Sequence, residues 1–208
     1  MPGEKVGILE NPTATRAVKC QSRWMSEQAW LTEAPPAELP AASVVLRRTS
    51  RGDTDALVHA VNASLEHLRP WMPWARTAAT SESIGAFLAA ADATWEARTE
   101  FQYLITEPDS RTVLGCCGLH ARLGSGALEI GYWVHVGHLR CGVAATAAAA
   151  LTRTGLRLPG VSRIEIHCDV ANSASAGVPR RLGFRLDRIE RRTPFTPGET
   201  GAQMIWVE

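Results

Sequence analysis

Residues 138–145 read HLRCGVAA and follow the apolar, strand-like run ALEIGYWV at 127–134. A chain passing from strand to helix here places its smallest residues at the helix start. The first turn of a helix has N–H groups without intrahelical partners and carries partial positive charge, which suits phosphate. Gly142, Ala144 and Ala145 would leave those amides bare, and Arg140 adds a cation. The alternative is a helix start packed tightly against a sheet. Neither a GxGxxG fingerprint nor a GK[ST] element is present, which excludes the common dinucleotide and P-loop patterns. In the preceding strand, Glu129 lies in line with Gly131 and Trp133 by period two. Its plain reading is a strand carboxylate facing solvent or pairing with an arginine.

Two clusters invite a metal reading, CCGLH (Cys116 to His120) and HCD (His167 to Asp169). Neither has a second ligand pair at zinc spacing, and neighbours in a strand point to opposite faces. No metal is expected. The five cysteines, an odd number at scattered positions, show no disulfide-like spacing. They point to a reducing, cytoplasmic setting. The N-terminal run MPGEKVGILENP is polar and broken by proline, unlike a signal peptide. No apolar stretch is long enough to span a bilayer, so no membrane partner is expected. A net charge of +1 on 208 residues argues against a nucleic-acid partner.

These residues must be positioned by a surrounding fold. Residues 1–42 end in the proline- and alanine-rich connector APPAELPAAS and read as a partly ordered N-terminal arm. CQSRWMSEQAWL within it has the makings of a short helix carrying Trp24 and Trp30; a lid or a homodimer contact are the alternatives. From residue 43 the pattern is clearer. SVVLRRT reads as a strand. GDTDALVHAVNASLEHL reads as a helix, with Asp53 as N-cap and Leu57, Val58, Val61, Leu65 and Leu68 at helical spacing. TSESIGAFLAAADATWEA is a second helix. FQYLIT, TVLGCCGLHARL and ALEIGYWVH are strands joined by short turns, hence antiparallel neighbours. The alanine-rich helix runs to about Gly155, followed by the strand VSRIEIHCD, a short helix in SAGVPRRLGF and two closing strands, FRLDRIERRT and QMIWVE. This order predicts one α/β (α+β) domain over 43–208, with a mixed, mostly antiparallel sheet flanked by helices.

The strand–RCGVAA–helix unit resembles the acetyl-CoA pyrophosphate loop of the GNAT superfamily of N-acetyltransferases. That pattern, Q/R-x-x-G-x-G/A, reads here Leu139-Arg140-Cys141-Gly142-Val143-Ala144, with Leu139 at the usual first polar position. HLRPWMPW (67–74), EIGYWV (129–134), CDVANSASAGVPRRLGF (168–184) and the closing QMIWV resemble the RimJ/RimL branch, in the same order along the chain from about Val44 onward.

The resemblance implies roles. Arg140, Cys141, Gly142, Val143, Ala144 and Ala145 would hold the pyrophosphate of acetyl-CoA. Glu129 becomes the candidate general base. Tyr132, Trp133 and Val134 would offer backbone groups to the pantetheine arm and an N–H to the developing oxyanion. Asn172 and Ser175 match the family's N-x-x-S. Asn172 would hold pantetheine or neighbouring backbone, with a helix N-cap as the other reading. Ser175 would protonate the leaving thiolate. Trp71 and Trp74 would wall the acceptor pocket, or simply pack in the core. Pro179, four residues after Ser175, cannot donate to that residue's carbonyl. The helix is therefore expected to begin late or to bend at Ser175. Arg180 and Arg181 read first as a solvated helix face, and only second as phosphate ligands.

The expected activity is transfer of acetyl from acetyl-CoA to a primary amine, by direct attack in a ternary complex. The expected acceptor is the N-terminal α-amine of a protein or peptide. A small-molecule amine acetyltransferase and a non-catalytic acyl-CoA-binding module are the alternatives.

Overall fold

The computed structural model describes residues 30–109 and 112–208. Within the described residues the chain forms β1 (Glu38–Ala41), β2 (Val44–Arg48), α1 (Thr54–Ala63), α2 (Leu65–Leu68), α3 (Ser81–Glu96), β3 (Glu100–Thr106), β4 (Val113–His120) and β5 (Ala127–Val134). There follow α4 (Val143–Gly155), β6 (Arg163–Asp169), α5 (Ser173–Leu182), β7 (Arg185–Arg191) and β8 (Ala202–Val207). The strands make one eight-stranded sheet in the order β1-β2-β3-β4-β5-β6-β8-β7. Every neighbouring pair is antiparallel except β5–β6, which is parallel because α4 crosses over between them. The expected mixed, mostly antiparallel α/β domain is the one observed.

The sheet begins earlier than the boundary read at residue 43. Glu38–Ala41, inside the proline-rich connector, pairs with β2. Pro40 is tolerated because β1 is an edge strand. Leu31, further upstream, is buried in the main core. The helix expected over residues 20–31 lies outside the described residues except at its end, where Trp30 sits in a turn and packs against that core.

Alternation along the strands sorts the two faces. Leu128 and Ile130 of β5 join Leu119 of β4, Ile164 and Ile166 of β6, and Ala147, Ala148 and Leu151 of α4 in one core cluster. Small residues let α4 lie close to the sheet: a Cβ at Gly155 would come within 2.7 Å of Ile164. On the other face, Leu57, Ala60 and Val61 of α1 and Ile84 and Leu88 of α3 pack on Leu104, Cys116 and Trp133. Thr80 caps α3, accepting a hydrogen bond from Ser83 N. Asp53 stands at the cap position of α1 as expected, but its carboxylate does not cap. It accepts instead from Arg47 and from the Ser50 backbone.

Candidate active site

The parallel pairing of β5 and β6 covers only Ala127↔Arg163, Leu128↔Ile164 and Glu129↔Glu165. Beyond Glu129, β5 continues to Val134 on β4 alone, while β6 continues to Asp169 on β8 alone. The sheet therefore splits open immediately after Glu129 and Glu165. The linking turn Val136–His138 and then α4 begin just past the free end of β5.

The loop into α4 has the conformation that its small residues allow. Arg140 and Gly142 are both left-handed, with φ of 62° and 79°. Gly142 is the N-cap and offers no side chain; a Cβ there would meet nothing within 4 Å. The first helical carbonyl bond, Thr146 N to Gly142 O at 2.9 Å, leaves the amides of Val143, Ala144 and Ala145 directed out of the helix end. An open groove of about 330 Å³ runs beside this end, lined by Ala42, Gly142, Ala145, Thr146, Arg153 and Arg181. The half-buried glycine, the bare amides and two arginines fit a phosphate-bearing ligand. Arg140 and Cys141 are exposed in the same loop, while Val143 is buried and anchors the helix start. Arg181 is exposed, in keeping with its first reading as a solvated residue, and also lines the groove. Arg180 instead lies over the Trp206 ring, 5.3 Å from its centroid. Arg153 was not foreseen, although 142, 145, 149 and 153 follow helical spacing from the glycine.

At the split itself, Tyr132 reaches from β5 to α5. Its hydroxyl donates to the Ser175 carbonyl at 3.0 Å and lies 3.2 Å from Ser175 Oγ. Burial pushes the tyrosine's pKa up. The helix does not begin late. α5 starts at Ser173, with Asn172 as its cap, accepting from Ser175 N at 3.0 Å. The carbonyl that Pro179 cannot serve is served by Tyr132. The N-cap reading of Asn172 is therefore the observed one. The turn before it is pinned by buried Asp169, which accepts from the backbone N–H of Ala171, Thr200 and Gly201.

On the opposite face, the register aligns Glu100, His120, Glu129 and Glu165 in one row across β3 to β6. Glu129 is buried and held by both donors of Arg122, Nε to Oε2 and Nη2 to Oε1, each at 2.7 Å. Burial works to raise its pKa, but the Arg122 bonds and charge outweigh it and hold the carboxyl below its usual range. The arginine side chain is itself about half exposed, at 54%. The plain reading of Glu129, a carboxylate paired with an arginine, is thus also present. Gly131, next on that face, has no side chain to block the approach, and a Cβ there would lie 3.0 Å from His120 Nε2. Trp133 follows, with Trp74 beside it at 6.2 Å between centroids. Trp74 is exposed and Trp71 half-buried, so they do not form plain core. The row, Gly131 and the Trp74–Trp133 pair lie on the same face of the sheet, beside the split.

The sequence reading missed Arg122, Glu165 and His167. His167 sits two residues beyond Glu165 on β6, with Nε2 at hydrogen-bond distance from Glu165 Oε2 and Nδ1 3.9 Å from Glu129 Oε2. Among the described residues no group of three or more His, Cys, Asp or Glu could hold a metal ion, and no helix is long and apolar enough to cross a membrane.

The fold is shared with solved acetyltransferases. RimL, a ribosomal L7/L12 alpha-N-protein acetyltransferase in complex with coenzyme A, aligns with a TM-score of 0.74 at 20% identity, over 85% of this chain and 97% of that one. Mycobacterium smegmatis RimJ in complex with CoA-disulfide aligns at 0.72 and 21% identity, over 86% and 88%. The microcin C7 self-immunity acetyltransferase MccE, in complex with acetyl-CoA and AMP, aligns at 0.73 and 17% identity, over 80% and 92%. No curated protein matches in sequence. The family model for the acetyltransferase (GNAT) domain matches residues 43–185, from β2 to the start of β7, and the chain belongs to that family.

Proposed function

We propose that this acetyltransferase moves an acetyl group from acetyl-CoA to a primary amine, the N-terminal α-amine of a protein or peptide, by direct attack in a ternary complex. One observation carries the reading. The sheet opens beyond the Glu129–Glu165 pair, with the bare helix amides at one end of the opening and the Tyr132–Ser175 contact beside it. The activity of RimL, an alpha-N-protein acetyltransferase of ribosomal L7/L12 that shares this fold, supports the choice of a protein acceptor.

In this reading the pyrophosphate of acetyl-CoA lies on the amides of residues 143–145, with Arg181 and Arg153 near its phosphates. The free edge of β5 at Tyr132, Trp133 and Val134 offers backbone groups to the pantetheine arm. The amine enters from the opposite face past Trp74 and Trp133, with Trp71 in the same loop. An α-amine with a pKa near ~8 is largely protonated at neutral pH and must lose a proton to attack. Glu129 accepts that proton. Nitrogen then bonds to the acetyl carbon, the C–S bond breaks, and the thiolate is protonated from Ser175 Oγ. Tyr132 has one proton and gives it to the Ser175 carbonyl, so in its contact with Ser175 Oγ the serine hydroxyl is the donor. A covalent acyl-enzyme is disfavoured for the interior thiols. Burial pushes Cys116 up to about 12 and raises Cys117 and Cys168, keeping all three protonated.

The test is a mass-spectrometric acceptor panel with acetyl-CoA, containing peptides with free or blocked N-termini and small amines. Acetylation of the free α-amine is expected. Turnover of small amines alone would move the assignment to small-molecule acetylation, and binding without any turnover would leave a CoA-binding module.

A further inference from the structure

We propose that His167, oriented by Glu165, is the relay that takes the acceptor's proton on from Glu129, so that the base of this active site is a three-residue chain. The inference rests on the amine-acetylation reading above and deepens it.

Glu129 is suited to attract an ammonium but not to keep its proton. Both its oxygens are bonded to Arg122, and a proton placed there must compete with a guanidinium. A second acceptor within reach would relieve it. His167 is the imidazole nearest to Glu129 Oε2, at 3.9 Å through Nδ1. That separation is too long for a direct hydrogen bond, so Nδ1 is not consumed by the carboxylate. One bridging water spans such a gap.

The other side of the ring fixes its state. Nε2 lies against Oε2 of Glu165, a carboxylate 1% exposed. A buried carboxylate cannot donate while ionised, so the ring must supply the proton at Nε2. The neutral tautomer then leaves Nδ1 bare and turned toward Glu129. This is the carboxylate–imidazole arrangement in which a buried acid orients a histidine and stabilises the imidazolium it becomes. Arg163 Nε lies 2.9 Å from Glu165 Oε1 on the other side of that carboxylate, an ion pair without hydrogen-bond geometry.

The location also fits. Glu165 is the last β6 residue paired with β5, and His167 is the next residue on the same face. It stands where the strands part, facing the side-chain-free Gly131 strand. The charged and titratable groups around it are Glu165 and Arg163 on its own strand, Glu129 on β5, Arg122 after β4, His120 with Glu100 further across the row, and Arg188 of β7, which stands in register beyond β8 and whose charge reaches Glu165. From β8 it meets Ile205, which does not titrate. His120 has a similar carboxylate neighbour, Glu100 at 3.3 Å from Nδ1, but lies on β4, where the sheet is closed by β3 on one side and β5 on the other.

The proton balance is simple. The ammonium gives one proton to Glu129, which passes it to His167 Nδ1, and the imidazolium later releases it to solvent. The second amine proton is lost to water as the N–C bond forms and the C–S bond breaks; the thiolate takes one proton from the Ser175 hydroxyl, which regains one from the same water, so that one proton in all is released to solvent.

The test combines kinetics with an imidazole spectrum. His167→Gln should lower kcat/KM for the amine at least tenfold at pH 7 without changing the acetyl-CoA KM. The deficit should narrow above pH 9, where the amine is already neutral, and added imidazole should restore part of the rate. A wild-type profile in the variant, or a loss equal at every pH and unresponsive to imidazole, overturns the relay. Independently of turnover, nitrogen-15 NMR of the resting protein should show the Nε2–H tautomer for His167, and Glu165→Gln should abolish that preference. An Nδ1–H tautomer overturns the proposal even in an active enzyme. A wild type that acetylates nothing refutes the functional reading instead, and the tautomer still decides the pair.

Discussion

The Tyr132 hydroxyl donates to the Ser175 carbonyl at 3.0 Å, the carbonyl that Pro179 leaves without a helical partner. A proline inside α5 would otherwise leave a half-buried acceptor unpaired. Here the missing bond is replaced from another element, and the replacement ties β5 to α5 across the opening of the sheet.

That tie is measurable. Tyr132→Phe should destabilise the protein by about 1–3 kcal/mol, the usual range for stranding a buried polar group. Pro179→Ala restores an N–H to the Ser175 carbonyl, so the tyrosine substitution should cost less in that background. Denaturant melts of the four proteins in a double-mutant cycle should give a coupling of roughly 0.5–1 kcal/mol. Additive effects would mean that the two groups do not share the carbonyl.

The same contact aims the serine hydroxyl. A CoA thiol has a pKa near that of cysteine, ~8.5, and its thiolate leaves tolerably near neutral pH. Protonation therefore helps modestly, and Ser175→Ala should lower kcat by roughly tenfold, below the usual reach of acid–base groups. Steady-state kinetics at saturating acetyl-CoA checks it. A wild-type kcat would hand the thiolate's protonation to water.

Arg122 holds the Glu129 carboxyl below its usual range, and under the proposed mechanism this sets the pH at which it works. Burial alone would raise the carboxyl's pKa, and the two arginine bonds reverse that. Removing them in Arg122→Gln leaves burial opposed only by His167 and His120, so the acid limb of kcat/KM should move to higher pH. Glu129→Gln should cost on the order of 10² in kcat and recover toward high pH. The ion pair also carries stability with a definite sign. With the folded pKa depressed, its contribution is present above the unfolded value of about 4.3 and is lost as pH falls through the folded one. Acid melts of wild type and Arg122→Gln should therefore converge at low pH. An unmoved acid limb in Arg122→Gln would show that Glu129 does not govern it.

The regular elements were legible because alternation and helical spacing are local. Leu57, Val61 and the strand ALEIGYWV announced their own faces. β1 was hidden because Pro40 argues against a strand until an edge position is known. The partners of Glu129 were hidden for different reasons. Arg122 reaches it across the hairpin turn, a contact readable only once the β4–β5 register is fixed. Glu165 meets it through parallel pairing over a helix crossover, which leaves no local trace. Glu165 and His167 do share a strand face by period two, and that signal stood in the segment set aside as an unlikely metal cluster. Pro179 was read correctly as a missing donor. Its remedy came from 47 residues upstream, and helix geometry within α5 does not reveal it.

The loop at Gly142 separates ligand contact from packing. A Cβ at this position touches no protein atom within 4 Å, so a larger side chain displaces a ligand and not the core. The backbone is left-handed at φ 79°, a conformation that costs an L-residue roughly 1–2 kcal/mol. Gly142→Val should therefore lower the melting temperature modestly and raise the acetyl-CoA KM about tenfold or more, with kcat at saturation less affected. Arg181→Ala tests the adjoining groove without touching the loop's backbone. It should raise the acetyl-CoA KM by a smaller factor, and the loss should shrink as salt screens the wild-type arginine. Dephospho-CoA and NAD in the same thermal-shift series locate the charge that is read. CoA should stabilise the native state most, since only bound ligand adds to stability. An unchanged KM in a folded Gly142→Val protein would assign the small residues of RCGVAA to the packing of α4 against the sheet.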